Sequence, residues 1–312
     1  MIRLAEETPR DALRGFIPIL PTIFNKDETI DEDGIRSVVR YLVRSGANGT
    51  TIHANSSEGY ALADDERDQV QDIVLDEAGG RLPVVVTVNH YSTEVACRRA
   101  RGAREAGASA IMALPPFFGS MAADAAGVHG FFARLAEAAA EVPLIVQDDP
   151  ALSGFSLTPE FVARLAKDVP GVKYLKLESP QAPHRMDRIK NLLGDRIQLF
   201  GGMGGLVFLE ELERGAIGTM PSAALLEMGT VYRLYVAGKY LEARHLFYSR
   251  CLPYINFEIR LALKNITKEV LAMANIIRDP SVRHPWPGSY DSETKRQLKQ
   301  LITELNLDVF KL

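Results

Sequence analysis

The sequence predicts an α/β chain, a (β/α)₈ (TIM) barrel followed by a C-terminal helical extension. Three observations carry that expectation. Short apolar runs rich in β-branched residues alternate with longer stretches of helical periodicity. Eight such runs occur. Beyond about Leu225 the strand signal stops while the helical periodicity continues. The runs recur every ~20–35 residues, the size of a strand–helix unit, and together fill about 220 residues, as a single barrel requires.

The elements follow in order. Phe16–Ile23 is the first strand candidate; Asp31-Glu32-Asp33 then starts a helix that Ser45-Gly46 ends. Gly49–Ala54 and Pro83–Val88 are the second and third strands, and Thr93 caps a helix over Glu94–Ala106 that stops at Gly107. Ala110–Leu114 and Pro143–Gln147 are the fourth and fifth. Thr158-Pro159-Glu160 then offers an N-cap, a proline at the first helical position and an acid in the first turn. Val172–Leu177, Ile197–Phe200 and Ala216–Met220 complete the eight. Several strands are apolar on both faces, as buried parallel strands are. A doubly wound sheet would want a glycine-rich phosphate loop after its first strand; Pro21-Thr22-Ile23-Phe24-Asn25 stands there instead. In the extension, Met228–Ala237, Tyr240–Ile255, Ile259–Met273 and Ser292–Leu305 read as helices, with Arg278–Tyr290 rich in proline, glycine and charge. The expected division is residues 1–224 for the barrel with a short N-terminal segment, and 225–312 for a helical layer packed on it.

Composition narrows the function. Of 312 residues, 24% are charged and 46% hydrophobic, which excludes a disordered chain. Thirty-six basic against 40 acidic residues leave a net charge of −4, with no basic excess to neutralise nucleic-acid phosphates. No apolar run is long enough to span a membrane, and MIRLAEETPRDALRG lacks the apolar core of a signal peptide, so a cytoplasmic protein is expected. Cys97 and Cys251 alone make neither a disulfide framework nor a zinc cluster. The histidines (His53, His90, His129, His184, His245 and His284) are scattered, and no HExxH or calcium loop occurs, so neither metal nor cofactor is expected.

Reactive groups in such barrels sit at the C-terminal ends of the strands. In Val172-Lys173-Tyr174-Leu175-Lys176-Leu177-Glu178, side chains alternate faces, so Leu175 and Leu177 suit the helix side and Lys176 points into the barrel with Tyr174 and Glu178. A neutral amine in a dry pocket is a nucleophile that forms an imine with a ketone. From the strand alone, a buried lysine paired with Glu178 is the competing reading. The second strand runs into Asn55-Ser56-Ser57-Glu58, small polar residues able to aim amides and hydroxyls at a carboxylate, or simply a loop before the next helix. The third ends in Asn89-His90-Tyr91-Ser92-Thr93, where His90 and Tyr91 are candidate acid–base groups. The fifth places Gln147 inward, a group that can hold a substrate oxygen but cannot move a proton at neutral pH.

Taken together these segments resemble the dihydrodipicolinate synthase / N-acetylneuraminate lyase superfamily, from about Gly15 to about Leu305. Ala54-Asn55-Ser56-Ser57-Glu58 stands where the family has GTTGE. Leu62–Arg67 resembles its L-x-x-x-E-R, and Gly171–Glu178 resembles the strand bearing its imine-forming lysine. The resemblance implies a pyruvate-type class I aldolase fold and chemistry, with Lys176 as the imine lysine and a homotetramer built as a dimer of dimers. Phe117 and Phe118 then occupy the family's inter-subunit tyrosine segment.

The departures are informative. The family tyrosine near the imine is replaced by Gln147, the relay positions hold Asn55 and Phe118, and the carboxylate-binding arginine of the synthases is Leu152. Dihydrodipicolinate synthesis is therefore not expected. Ala54-Asn55 with Ser57-Glu58, His90–Thr93, Val146-Gln147-Asp148 and Arg283-His284-Pro285 resemble the L-2-keto-3-deoxyarabonate dehydratase branch. The expectation is a Schiff-base lyase that dehydrates a 2-keto-3-deoxy sugar acid to 2,5-dioxopentanoate. In it Lys176, His90, Tyr91 and Glu58 are catalytic, and Asn55, Ser56, Ser57 and Gln147 bind substrate. The alternatives are a pyruvate-producing aldolase, a deaminase or hydro-lyase acting on a hydroxylated cyclic imino acid, and a non-catalytic keto-acid-binding protein.

Overall fold

The computed structural model describes residues 13–119, 121–179, 181–261, 266–285 and 290–311. Its centre is a parallel eight-stranded sheet: β1 Gly15–Phe16, β2 Thr50–Ile52, β3 Val84–Thr87, β4 Ala110–Ala113, β5 Leu144–Asp148, β6 Val172–Leu177, β7 Gln198–Gly201 and β8 Gly218–Thr219. The strands run in sequence order around the sheet, with β8 pairing β1. The ring closes beyond β1, where Ile19 bridges Thr51 and Ser222 and the Leu20 N–H donates to the Thr51 carbonyl at 2.9 Å. The predicted α/β barrel is thus the observed one. The first strand is shorter than the predicted Phe16–Ile23 because Pro18 and Pro21 supply no N–H to the ladder.

Two apolar layers build the core. Side chains facing inward, such as Val85, Met112, Ile145, Tyr174 and Phe200, fill the barrel. The opposite faces, including Val84, Ile111, Leu175 and Leu177, pack beneath the helices. Asp31 caps the first helix, accepting from the Gly34 N–H at 2.9 Å, and Thr158 caps the helix Pro159–Asp168. The helix after β3 is capped by Ser92 rather than Thr93, so it starts one residue earlier than predicted, at Thr93.

After β8 the chain is helical: Glu227–Val236, Tyr240–Leu246, a π-helical turn at Phe247–Cys251, Leu252–Leu261, Ile266–Met273 and Ser292–Leu305. These helices join the outer apolar layer through Val231, Tyr254, Leu271 and Leu298. Glu227 is fully buried and ties them together, accepting from Arg250 at 2.6 Å and from the Asp308 N–H at 2.8 Å. After β4 come a small antiparallel hairpin, Phe117–Phe118 with Met121–Ala122, and then the helix Ala125–Ala139. The Phe118 side chain and Trp286 lie outside the described residues.

The β1–β8 seam leaves no room for a side chain at Gly218, where a Cβ would fall 2.2 Å from the Gly15 carbonyl oxygen. Gly218→Ala is expected to lower stability by about 1–3 kcal/mol, as overpacking against backbone does. Urea unfolding of the variant beside the parent checks this, and coincident curves would contradict it.

Candidate active site

The register of β5, β6 and β7 assembles the centre of the site. Gln147 stands beside Lys176 across the β5–β6 ladder, and Lys176 stands beside Phe200 across β6–β7. Period-two alternation turns Lys176 inward, as predicted, and it is 1% exposed. Its Nζ lies 3.2 Å from Glu178 Oε2. Glu178 also accepts from the Gln147 amide nitrogen, and from the Met203 N–H at 3.1 Å. Burial pushes the Glu178 carboxyl up, but Lys176, Gln147 and the Met203 amide outweigh burial and hold it below the usual range. Nearby Asp149 is pushed up by burial and then by the Glu178 charge.

Behind Gln147, Asp148 faces the other way. It is fully buried, pairs with Arg185 and accepts from the Leu157 N–H at 3.2 Å. The Asp148 carbonyl takes the Glu178 N–H at 2.9 Å, which fixes the end of β6 against the end of β5.

A second group of predicted residues lines one cavity of about 330 Å³ at the ends of β2, β3 and β4. Asn55, His90 and Tyr91 face it, together with His53, Tyr60, Arg67 and Arg99; Lys176, Gln147 and Glu178 do not. His90 Nδ1 accepts from the Ser92 N–H at 2.9 Å, so a neutral ring carries its proton on Nε2. Burial, and then Arg99, lower the His90 pKa, which favours that neutral form. Arg67 is buried beneath the cavity and donates to the Gly59 carbonyl at 2.7 Å and to the Thr87 carbonyl.

The remaining predicted residues lie apart from the cavity. Ser56 is exposed in its loop, while Ser57 is fully buried with its carbonyl accepting from Thr22 at 2.6 Å. Glu58 pairs with Lys268 and accepts from the Arg283 N–H at 3.0 Å. Lys268 is fully buried, 4.6 Å from the Phe24 ring centre and 2.8 Å from the Ser281 carbonyl oxygen. Burial pulls its pKa down to about 8 against the opposing pull of Glu58. Arg283 stacks on the other part of this network, 4.5 Å from the Phe24 ring centre, and reaches Glu66 at 2.6 Å. The carboxylate read as a free acid–base group is therefore engaged in joining the loop after β2 to the C-terminal extension.

His53, Arg67 and Lys268 were not singled out in the sequence. His53 follows the end of β2 in a left-handed conformation, so strand parity does not place it. Lys268 sits in an ordinary helical stretch, and only the folded chain brings it to Glu58. Among the described residues, no three His, Cys, Asp or Glu side chains gather closely enough to hold a metal ion. No described helix is long and apolar enough to cross a membrane.

The chain is a barrel with a helical extension and a buried lysine–glutamate pair at the end of β6, and comparison gives the family. The dihydrodipicolinate synthetase family matches residues 12–305, and the chain belongs to it. L-2-keto-3-deoxyarabonate dehydratase of Azospirillum brasilense is 32% identical over 305 residues, 97% of either chain. N-acetylneuraminate lyase of Citrobacter koseri is 29% identical over 94% of this chain and 97% of its own. The crystal structure of dihydrodipicolinate synthase from Aquifex aeolicus covers 94% of this chain and 98% of its own with a TM-score of 0.87; at 19% identity it speaks for the fold. The resemblance read from the motifs is thus the family found, and the chain is an enzyme of the lyase class.

Burial, and then Arg67, lower the His53 pKa well below its ordinary 6.5. The unfolded chain therefore binds this proton first, and the stability contributed by neutral His53 is lost as pH falls below about 6.5. Stability is expected to decline from pH 6.5 toward about 5 with a slope of up to about 1.4 kcal/mol per pH unit, and His53→Asn should flatten it. Unfolding curves across that range check this; equal slopes in parent and variant would contradict it.

Proposed function

We propose that the chain dehydrates a 2-keto-3-deoxy sugar acid through an imine on Lys176, with L-2-keto-3-deoxyarabonate as substrate and 2,5-dioxopentanoate as product. The carrying observation is the buried, inward Lys176 held 3.2 Å from Glu178 at the end of β6. The dehydratase relative, similar along nearly the whole chain, supports the substrate class.

In this reading Glu178 takes a proton from the Lys176 ammonium. The free amine attacks C2 of the keto acid, and Glu178 returns that proton to the departing C2 oxygen, which leaves as water as the protonated imine forms. The protonated imine acidifies C3, and a C3 proton passes to a carboxylate beside it. Glu178 fills that role, since Glu58 is paired with Lys268 and positions its loop. The electron pair of the enamine expels the C4 hydroxyl, which leaves as water with the proton Glu178 took from C3. Neutral His90 donates its Nε2–H as a hydrogen bond to that oxygen, since Nδ1 is engaged, with Tyr91 beside it. Loss of a C5 proton gives the C4–C5 enol; protonation of C4 with loss of the enol O–H proton makes the C5 aldehyde, and protonation of C3 restores the imine. Hydrolysis of the imine consumes one of the two waters released, so one water is lost overall.

Gln147 favours elimination over aldol cleavage. Cleavage of C3–C4 needs a base on the C4 hydroxyl, and an amide donating to Glu178 does not supply one. Asn55, at the cavity, holds the carboxylate and hydroxyl end of the substrate, while Ser56 and Ser57, expected to bind it as well, lie apart from the cavity and shape the loop. The partner is this small keto acid, the assembly a homotetramer and the compartment the cytoplasm.

Incubation with pyruvate and borohydride is expected to leave a reduced adduct on Lys176 by mass spectrometry, and its absence from the parent protein would sink the imine. Turnover of L-2-keto-3-deoxyarabonate should release 2,5-dioxopentanoate rather than pyruvate. His90→Ala should cut that turnover ~10²–10³-fold, as loss of a positioned hydrogen-bond donor to a developing charge does. Pyruvate as the product would make the enzyme an aldolase instead.

A further inference from the structure

Glu211 is a buried carboxyl that the reaction above does not use. It lies in the short helix Phe208–Glu213 after β7 and is 1% exposed. A Cβ on Gly201 would fall 1.8 Å from Glu211 Oε2, so this carboxyl rests directly on the Gly201 backbone. One residue further, a Cβ on Gly202 would fall 2.1 Å from Glu178 Cγ. Alternation along β7 puts these two positions on opposite faces. Two carboxyls therefore grip one Gly-Gly segment, Glu211 from the helix side and Glu178 from inside the barrel.

The grip has a consequence for the amides. The Gly202 amide acts on Glu211. The next one, Met203 N–H, donates to Glu178 Oε1 at 3.1 Å and is one of the groups that keep Glu178 charged. The charged groups acting on Glu211 are Glu178 from the end of β6 and Glu210 from its own helix, both negative. Two anions and deep burial favour the protonated acid. The titratable groups facing Glu178 are Lys176 on its own strand, Asp149 after β5 and Glu211 after β7.

We propose that Glu211, as a neutral carboxylic acid, is a positioning residue that holds the Gly201–Met203 turn so that the Met203 N–H keeps Glu178 anionic beside Lys176. The inference rests on the Lys176 reading only for what the anion is used for; the geometry stands without it. Its test therefore reads Glu178 in the substrate-free protein. Carbon-13 NMR of the side-chain carboxyls, in full-length protein labelled at glutamate Cδ, follows the Glu178 midpoint, with Glu178→Gln giving the assignment.

Glu211→Met removes the acceptor at similar volume. The Glu178 midpoint should rise by about one pH unit, the effect of losing one amide donor to a carboxylate. Glu211→Gln keeps a neutral acceptor and should leave the midpoint at the parent value. A downward shift in Glu211→Gln would show that the native carboxyl is charged, and an unmoved midpoint in folded Glu211→Met would show that the turn does not depend on it. Either result overturns the proposal, and the Gln variant decides alone if the Met variant does not fold. Borohydride trapping on the parent protein reports separately on the imine, so failure of one leaves the other readable.

Discussion

The Lys176–Glu178 pair is the constraint around which the barrel is organised. Taking two charged groups out of water costs several kcal/mol each, and their mutual attraction offsets this only with good geometry and further hydrogen bonds. Gln147 from β5 and the Met203 amide after β7 supply those bonds, so three neighbouring strands must hold one register. The same requirement explains the residue types around the pair. Gly202 has no side chain because Glu178 occupies that space, and Gly201 has none because Glu211 does. Asp148 and Arg185 lock the end of β5 from the outer face, where a shift would move Gln147 off its partner.

The C-terminal helices are tied to this centre by a second buried pair. Lys268 reaches from the helix Ile266–Met273 to Glu58, and the Arg283 backbone completes the contact. Breaking one side of such a pair leaves an uncompensated buried charge, commonly worth about 3–5 kcal/mol. The loop after β2, which presents Asn55 to the cavity, is thus held by the extension as well as by its own short turns. Barrel and extension together frame the Lys176 cluster at β5–β7 and the His90 cavity at β2–β4.

Much of this was legible in the sequence, for identifiable reasons. The eight strands stood out because buried parallel strands are apolar on both faces. The inward turn of Lys176 followed from parity with Leu175 and Leu177, which share the outer layer. What was not legible depends on distant contacts. Arg283 lies 225 residues from the Glu58 carboxylate it bonds, and no local pattern announces that encounter. Glu58 consequently read as a free acid, and Lys268 as an ordinary helical lysine. The Phe117–Ala122 hairpin is too short for periodicity to show, and the early end of β1 came from two prolines inside an otherwise convincing apolar run. Glu211, one acid among several in a short helix, gains its meaning only from the glycine it touches.

In the proposed reaction Lys176, paired with Glu178, forms an imine whose neighbouring carbon exchanges protons. Proton NMR of pyruvate in deuterated buffer tests it directly, because the imine–enamine exchange replaces the methyl protons with deuterium. The account predicts protein-dependent loss of the methyl signal that disappears in Lys176→Ala. Exchange no faster than in buffer, or exchange that persists in Lys176→Ala, would contradict it.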